Sequence, residues 1–133
     1  MTGARLPVVQ LFAMLHDSQR VNEGHDPEHG ARAADYAATL RDSLVSLSDS
    51  DFELLHFACT WHTHGMTEGD VTVRTCWDSD RLDLGRVGIR PRPERLCTEA
   101  ARDPEMIRWA HGRAIVRTWP EIVEADWGVL RPE

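Results

Sequence analysis

Along most of this chain apolar residues recur every three or four positions, the period of a helix with one buried face. Val8, Val9, Leu11, Phe12 and Leu15 make the first such run and predict a helix over residues 7–17, with Pro7 suited to its first turn. The polar stretch 18–24 reads as a loop. Asp26-Pro27-Glu28-His29 predicts the next helix start, with Asp26 as cap and Pro27 at the first helical position, and the stripe Tyr36, Leu40, Leu44 and Leu47 carries that helix to about residue 47. Ser50-Asp51-Phe52-Glu53 has the form of a capping box, followed by Leu54, Leu55, Ala58, Cys59 and His62 to an end near Gly65. Asp70 predicts a further cap, opening a helix through Val73, Cys76, Trp77, Asp80 and Leu84. Asp103-Pro104-Glu105 predicts another, with Met106, Ile107, Ala110, Ala114, Ile115 and Thr118 on its buried side and His111 simply part of the helix. The tail 119–133 offers Trp119, Ile122, Val123 and Trp127 for a last turn or two. With no convincing strand, repeat or low-complexity tract, the pattern predicts an all-α, single-domain helical bundle of about five to six helices spanning residues 1–133.

Polar residues that interrupt these stripes carry the chemistry. Val9, Phe12 and His16 fall in one line along the first helix, and Asp17 lies about 100° further round, so an imidazole and a carboxylate can converge beside the core. Such a histidine is either a hydrogen-bonded core residue or a ligand. Leu55, Cys59 and His62 share a face, which turns His62 inward as well, whereas His64 faces elsewhere unless the last turn frays. Val73, Trp77, Asp80 and Leu84 form a stripe that sets Asp80 among core residues, where a carboxylate is costly unless paired or bound to a metal. Asp78, at i+4 from Arg74 and i−3 from Arg81, reads instead as part of a solvated ion-pair ladder. His16, Asp17, His62 and Asp80, with His29 and His64 in reserve, therefore suit a divalent metal such as Mn, Fe, Co, Ni, Zn or Mg.

Composition narrows the partners. The formal charge of −7 opposes a long nucleic acid, whose binding is driven by cations neutralising phosphates. All 15 basic residues are arginine; without lysine there is neither a Walker-type phosphate loop nor Schiff-base chemistry, and arginine forks are the only side-chain cations left for phosphate or carboxylate. Arg86, Arg90, Arg92 and Arg95 crowd the Gly- and Pro-punctuated connection 85–97, which reads as a solvated loop or as an anion-binding rim. Three widely spaced cysteines, Cys59, Cys76 and Cys97, read as reduced, buried thiols. No run approaches the roughly 18 apolar residues of a membrane span, and the start of the chain lacks a signal-peptide pattern, so the expectation is a cytoplasmic protein with no membrane partner. Five tryptophans offer apolar surface for a homo-oligomer.

The doublet His16-Asp17 together with Asp78-Ser79-Asp80-Arg81-Leu82-Asp83 resembles the HD-domain superfamily of helical metal-dependent phosphohydrolases, over residues 8–98. The resemblance implies an HD-like fold in which His16, Asp17 and Asp80 hold a divalent metal, with Asp17 also acting in catalysis. His29, followed by Gly30-Ala31, and Trp61-His62-Thr63-His64 resemble the further histidines of two-metal members. It also implies hydrolysis of a nucleotide or other small phosphoester, with Arg20 and Arg81 nearest to hold the phosphate. The family pattern begins with another histidine on a helix ahead of the doublet, and none precedes His16 here. That departure leaves three alternatives: a helix carried by longer relatives is lacking, the site works with fewer ligands, or the scaffold binds metal, nucleotide or a protein partner without turnover.

Overall fold

The computed structural model describes residues 2–22, 24–43 and 46–116; the expectations for Leu44, Thr118 and the tail 119–133 lie outside them. The protein is all-α. Six helices follow in order among the described residues: α1 (Leu6–Leu15), α2 (His29–Leu40), α3 (Asp49–Trp61), α4 (Val71–Leu82), the short α5 (Glu99–Arg102) and α6 (Pro104–Ile115). Two 3-10 turns, Leu84–Val87 and Pro93–Arg95, fill the connection after α4. No described helix is long and apolar enough to cross a membrane.

Helices α1 to α4 close around one core in which Val8, Phe12, Leu55, Cys59, Cys76 and Trp77 are fully buried. Burying side chains of this size is worth about 1.5–3 kcal/mol each, which is what holds α1 against both α3 and α4. The Trp77 indole N–H donates to the Ala58 carbonyl at 3.0 Å, so the largest core side chain leaves no polar atom unpaired. Pairing of α2 with α3 is closer still, because Gly30, Ala33, Ala34 and Ala37 form the buried face of α2. That face is not the predicted stripe: Tyr36 is 40% exposed, and small residues won the interface because they let two backbones approach.

Several predicted boundaries shift for local reasons. Asp26 caps nothing. Arg32 Nη2 donates to both its oxygens, at 2.7 and 2.6 Å, and Val21 N–H donates at 3.0 Å, so α2 begins at His29. The same helix stops at Leu40 rather than near residue 47, while Leu47 still packs on the core. The cap of α3 is Ser48, whose hydroxyl accepts from Asp51 N–H, and not Ser50. Both serines precede an acid by three residues; Arg5 decides the register by pairing with Asp51 from the start of α1. Asp70 caps α4 through Thr72 N–H and Asp103 caps α6 through Glu105 N–H, as the sequence predicts.

Asp78 is the largest correction. Only 3% exposed, it accepts from Cys97 N–H at 2.6 Å, Thr98 N–H at 3.0 Å and the Thr98 hydroxyl at 2.7 Å. It therefore pins the start of α5 to α4, and no solvated ladder exists there. On α6 only Ile107 and Ala114 of the predicted face are fully buried; Met106 and Ile115 are exposed, and Ala110 is half-buried. That helix packs on the Leu84–Val87 turn through a narrow contact at Gly85, where an added Cβ would meet Ala114 Cβ and His111 Nδ1, both at 2.9 Å. His111 is thus a packing residue as well as part of the helix.

Candidate metal centre

Four helix ends meet at one point. His16 is the C-cap of α1 and Asp17 follows it; His29 opens α2; His62 is the C-cap of α3; Asp80 lies in the last turn of α4. Each imidazole is oriented by its own backbone. His16 Nδ1 donates to the Phe12 carbonyl at 2.8 Å, His29 Nδ1 to the Asp26 carbonyl at 2.5 Å and His62 Nδ1 to the Cys59 carbonyl at 2.7 Å. A carbonyl can only accept, so each Nδ1 carries a proton, and in the neutral ring each Nε2 presents a lone pair. Stacking of Phe12 on His16, with ring centroids 4.6 Å apart, fixes that ring further.

The Nε2 atoms converge. His29 Nε2 and His62 Nε2 are 2.9 Å apart, and Asp17 Oδ1 lies 3.0 Å from the first and 3.5 Å from the second. His16 Nε2 approaches Asp17 Oδ2 at 3.3 Å and Asp80 Oδ1 at 3.2 Å. Donor atoms of His16, Asp17 and His62 all fall within 4.8 Å of one another. His29 and His62 are 1% and 6% exposed, which makes the floor dry, whereas Asp17 and Asp80 keep some contact with solvent at the mouth. Burial by itself opposes charging His16, but hydrogen bonds to Asp17 and Asp80 outweigh it and raise its pKa to about 10. Hydrogen bonds from His16 and His62 hold the Asp17 carboxyl well below the usual carboxylate range. The cluster is thus built to hold a positive charge at the Nε2 apex, whether a proton or a metal.

The mouth opens into a cavity of about 610 Å³ between α1, α4 and α6, walled by Ala13, Asp83, Arg86, Trp109 and Arg113 besides the cluster itself. Arg86 reaches Asp17 at 3.7 Å and Asp83 at 3.0 Å, and the Arg113 guanidinium lies 5.0 Å from the centre of the Trp109 ring. Neither Trp109 nor Arg113 stood out in the sequence, and Arg86 did so only as one of four arginines in a loop. The i,i+3 pairing of Asp83 with Arg86 was the one available signal for it.

Of the sequence-predicted residues, His16, Asp17, His29, His62 and Asp80 come together. His64 stays outside the cluster, exposed, with its ring edge-on to Trp61 at 4.9 Å. Arg20 Nε pairs with Asp17 at 3.4 Å, while its Nη1 donates to the carbonyls of Asn22 and Gly24. Arg81 turns away, donating to the Arg95 carbonyl at 2.8 Å and to Cys97 Sγ at 3.3 Å. Comparisons with protein-family models, with characterised proteins and with solved structures return no match.

Proposed function

We propose that the chain is a metal-dependent phosphohydrolase of the HD type, acting on a nucleotide or other small phosphoester. The observation that supports it most is the 2.9 Å approach of His29 Nε2 to His62 Nε2 while both Nδ1 protons are committed to carbonyls. Two lone pairs at that distance repel unless a proton or a metal cation lies between them, and a metal serves both rings together with Asp17. Neutral imidazoles joined by carboxylate oxygens are a donor set that fits a divalent transition metal, and backbone carbonyls on the Nδ1 side are the usual outer support of such ligands. His16, Asp17 and His62, whose donor atoms lie within 4.8 Å of one another, would hold the ion, with His29 against His62 and Asp17, and Asp80 steadying His16 from the cavity side. The absence of a histidine before the doublet is then made up from α2 and α3.

When bound, the metal supplies Lewis acidity toward a phosphoryl oxygen and a lowered pKa for water. The remaining roles fall to the chain. Asp17 and Asp80 line the mouth with carboxylate oxygens able to accept a proton from water. Arg86 presents a planar, permanently charged fork where phosphate oxygens would dock. Metal analysis of the purified protein, with a nucleotide and phosphoester screen in added Mn, Mg, Co, Ni or Zn, tests the reading. Bound metal and turnover lost together in Asp17→Ala are expected; no metal and no product would sink it.

A second reading rests on His16. Flanked by two carboxylates at 3.3 and 3.2 Å, its protonated ring satisfies part of the cluster without any ion. On that reading the protein is a non-catalytic HD scaffold that binds metal, nucleotide or a protein partner. A thermal shift on adding metal or nucleotide, with no product formed, would select it.

A further inference from the structure

A second recess, of about 270 Å³, shares no lining residue with the cavity at the metal cluster. Arg81, Arg90, Arg92 and Arg95 line it, together with His62 and Thr63. In a chain of net charge −7, none of these four arginines pairs with a carboxylate among the described residues, although Arg5, Arg20, Arg32, Arg41 and Arg86 all do. Three of the four are exposed at the rim, where water can serve them. Arg81 differs. Its Nη1 is engaged by the Arg95 carbonyl and Cys97 Sγ, while its Nη2 is shielded from solvent and has no acceptor. Leaving a buried charged donor unsatisfied costs about 1–3 kcal/mol, and gathering like charges around it adds repulsion. The repulsion is relieved by an anion with several oxygens seated among these arginines.

We infer that this recess is a binding site for a polyphosphate-class anion, separate from the metal centre. The cations outnumber what a single carboxylate can neutralise, and guanidinium forks match the oxygens of phosphate groups two at a time. The volume lies at the small end of ligand pockets, roughly 300 Å³, which suits a chain of phosphates better than a whole cofactor. None of the four arginines belongs to the metal cluster, so the inference does not depend on the proposed activity. His62 alone connects them, facing the cluster with Nε2 and lining the recess as well.

The test uses the full chain stripped of metal on a chelating resin and titrated calorimetrically with tripolyphosphate. One equivalent should bind, and Arg90→Gln/Arg92→Gln should weaken binding by about tenfold or more through the loss of charge-assisted contacts. A charge-matched control, Arg74→Gln/Arg108→Gln, removes two arginines that do not line the recess and should leave affinity within about twofold. All four positions are solvent-accessible surface sites, so both variants should keep the wild-type circular dichroism. A parallel titration with adenosine triphosphate separates sources: equal affinity means that the phosphates alone are read, tighter binding that a nucleoside adds contacts. No binding of tripolyphosphate at millimolar concentration, equal losses in the two double variants, or citrate binding more tightly than tripolyphosphate would overturn the inference.

Discussion

Replacing Gly30 by alanine tests the candidate metal centre through the packing beneath it. A Cβ on Gly30 would lie 2.4 Å from the Cys59 carbonyl oxygen, 3.0 Å from the Thr60 carbonyl oxygen and 3.1 Å from His62 Nδ1. Real Cβ atoms do not come closer than 3.0 Å, so the first gap must widen from 2.4 Å to at least that value. The obstacle is the backbone of α3, which cannot rotate aside. Alanine gains about 1 kcal/mol over glycine inside a helix, whereas overpacking costs about 1–3 kcal/mol, and a rigid obstacle puts the cost at the upper end. The net expectation is a loss of about 1–2 kcal/mol, or a fall in Tm of about 3–8 °C. The effect on the centre should be larger, because His29 precedes Gly30 and His62 closes α3 beside it. Metal ligands tolerate displacements of about 0.2 Å, so affinity for Mn or Zn should fall by about 10–100-fold. Thermal unfolding followed by circular dichroism, with calorimetric metal titration, measures both. Ala37→Gly gives the comparison: it loosens the same interface about 12 Å along α2 from His29 and should lower Tm without changing metal affinity. A Gly30→Ala protein more stable than wild type, or one with wild-type metal affinity, would refute the reasoning.

Asp78→Ala orphans the two backbone N–H groups of Cys97 and Thr98, and at about 1–3 kcal/mol each it should cost about 3 kcal/mol or more in denaturant unfolding while leaving metal binding intact in the folded fraction. Hydrogen bonds from Arg32 and Val21 lower the pKa of Asp26 in the folded state, so its contribution is present above the ordinary carboxylate pKa of about 4 and is lost as pH falls through the folded value. Asp26→Asn should therefore be less stable than wild type at neutral pH, and the gap should close in acid; a gap that stays constant from pH 7 to pH 3 would contradict the pairing. Burial pushes the thiols of Cys59 and Cys76 up to about 12 and that of Cys97 to about 11. Thiolate is scarce at neutral pH, so iodoacetamide followed by mass spectrometry should leave all three unlabelled in the native protein and labelled on unfolding.

Helical spacing was enough to read the all-α class, the caps Asp70 and Asp103, and the inward turn of His16 and His62, because each depends on neighbours within one or two turns. What failed depends on distant partners. Asp78 satisfies every local rule for a surface ion pair, yet its partners are backbone donors some twenty residues downstream that no local pattern marks. Ser48 and Ser50 are equivalent caps until Arg5 arrives from α1 to pair with Asp51. The α2 face misled because large apolar residues were weighed above Gly30 and the alanines, whereas close helix contact rewards small ones. Trp109 and Arg113 were illegible as site residues, since only the fold of α6 back over α4 brings them to the cavity.

The staple formed by Asp78 has a consequence for how the chain can vary. Asp78 ties residues 97 and 98 to α4, and Arg81 ties residues 95 and 97 to the same helix. The segment between, which carries Arg90 and Arg92, thus leaves and returns to a closed stem whose bonds do not depend on its tip. Gly88, Ile89 and Arg90 are all exposed at that tip, and Gly88 adopts φ 82°, so residues can be inserted after it at little cost to the bundle. The loop is an exchangeable module: its length and charge can be rewritten while the three helix ends that carry the imidazoles stay in place.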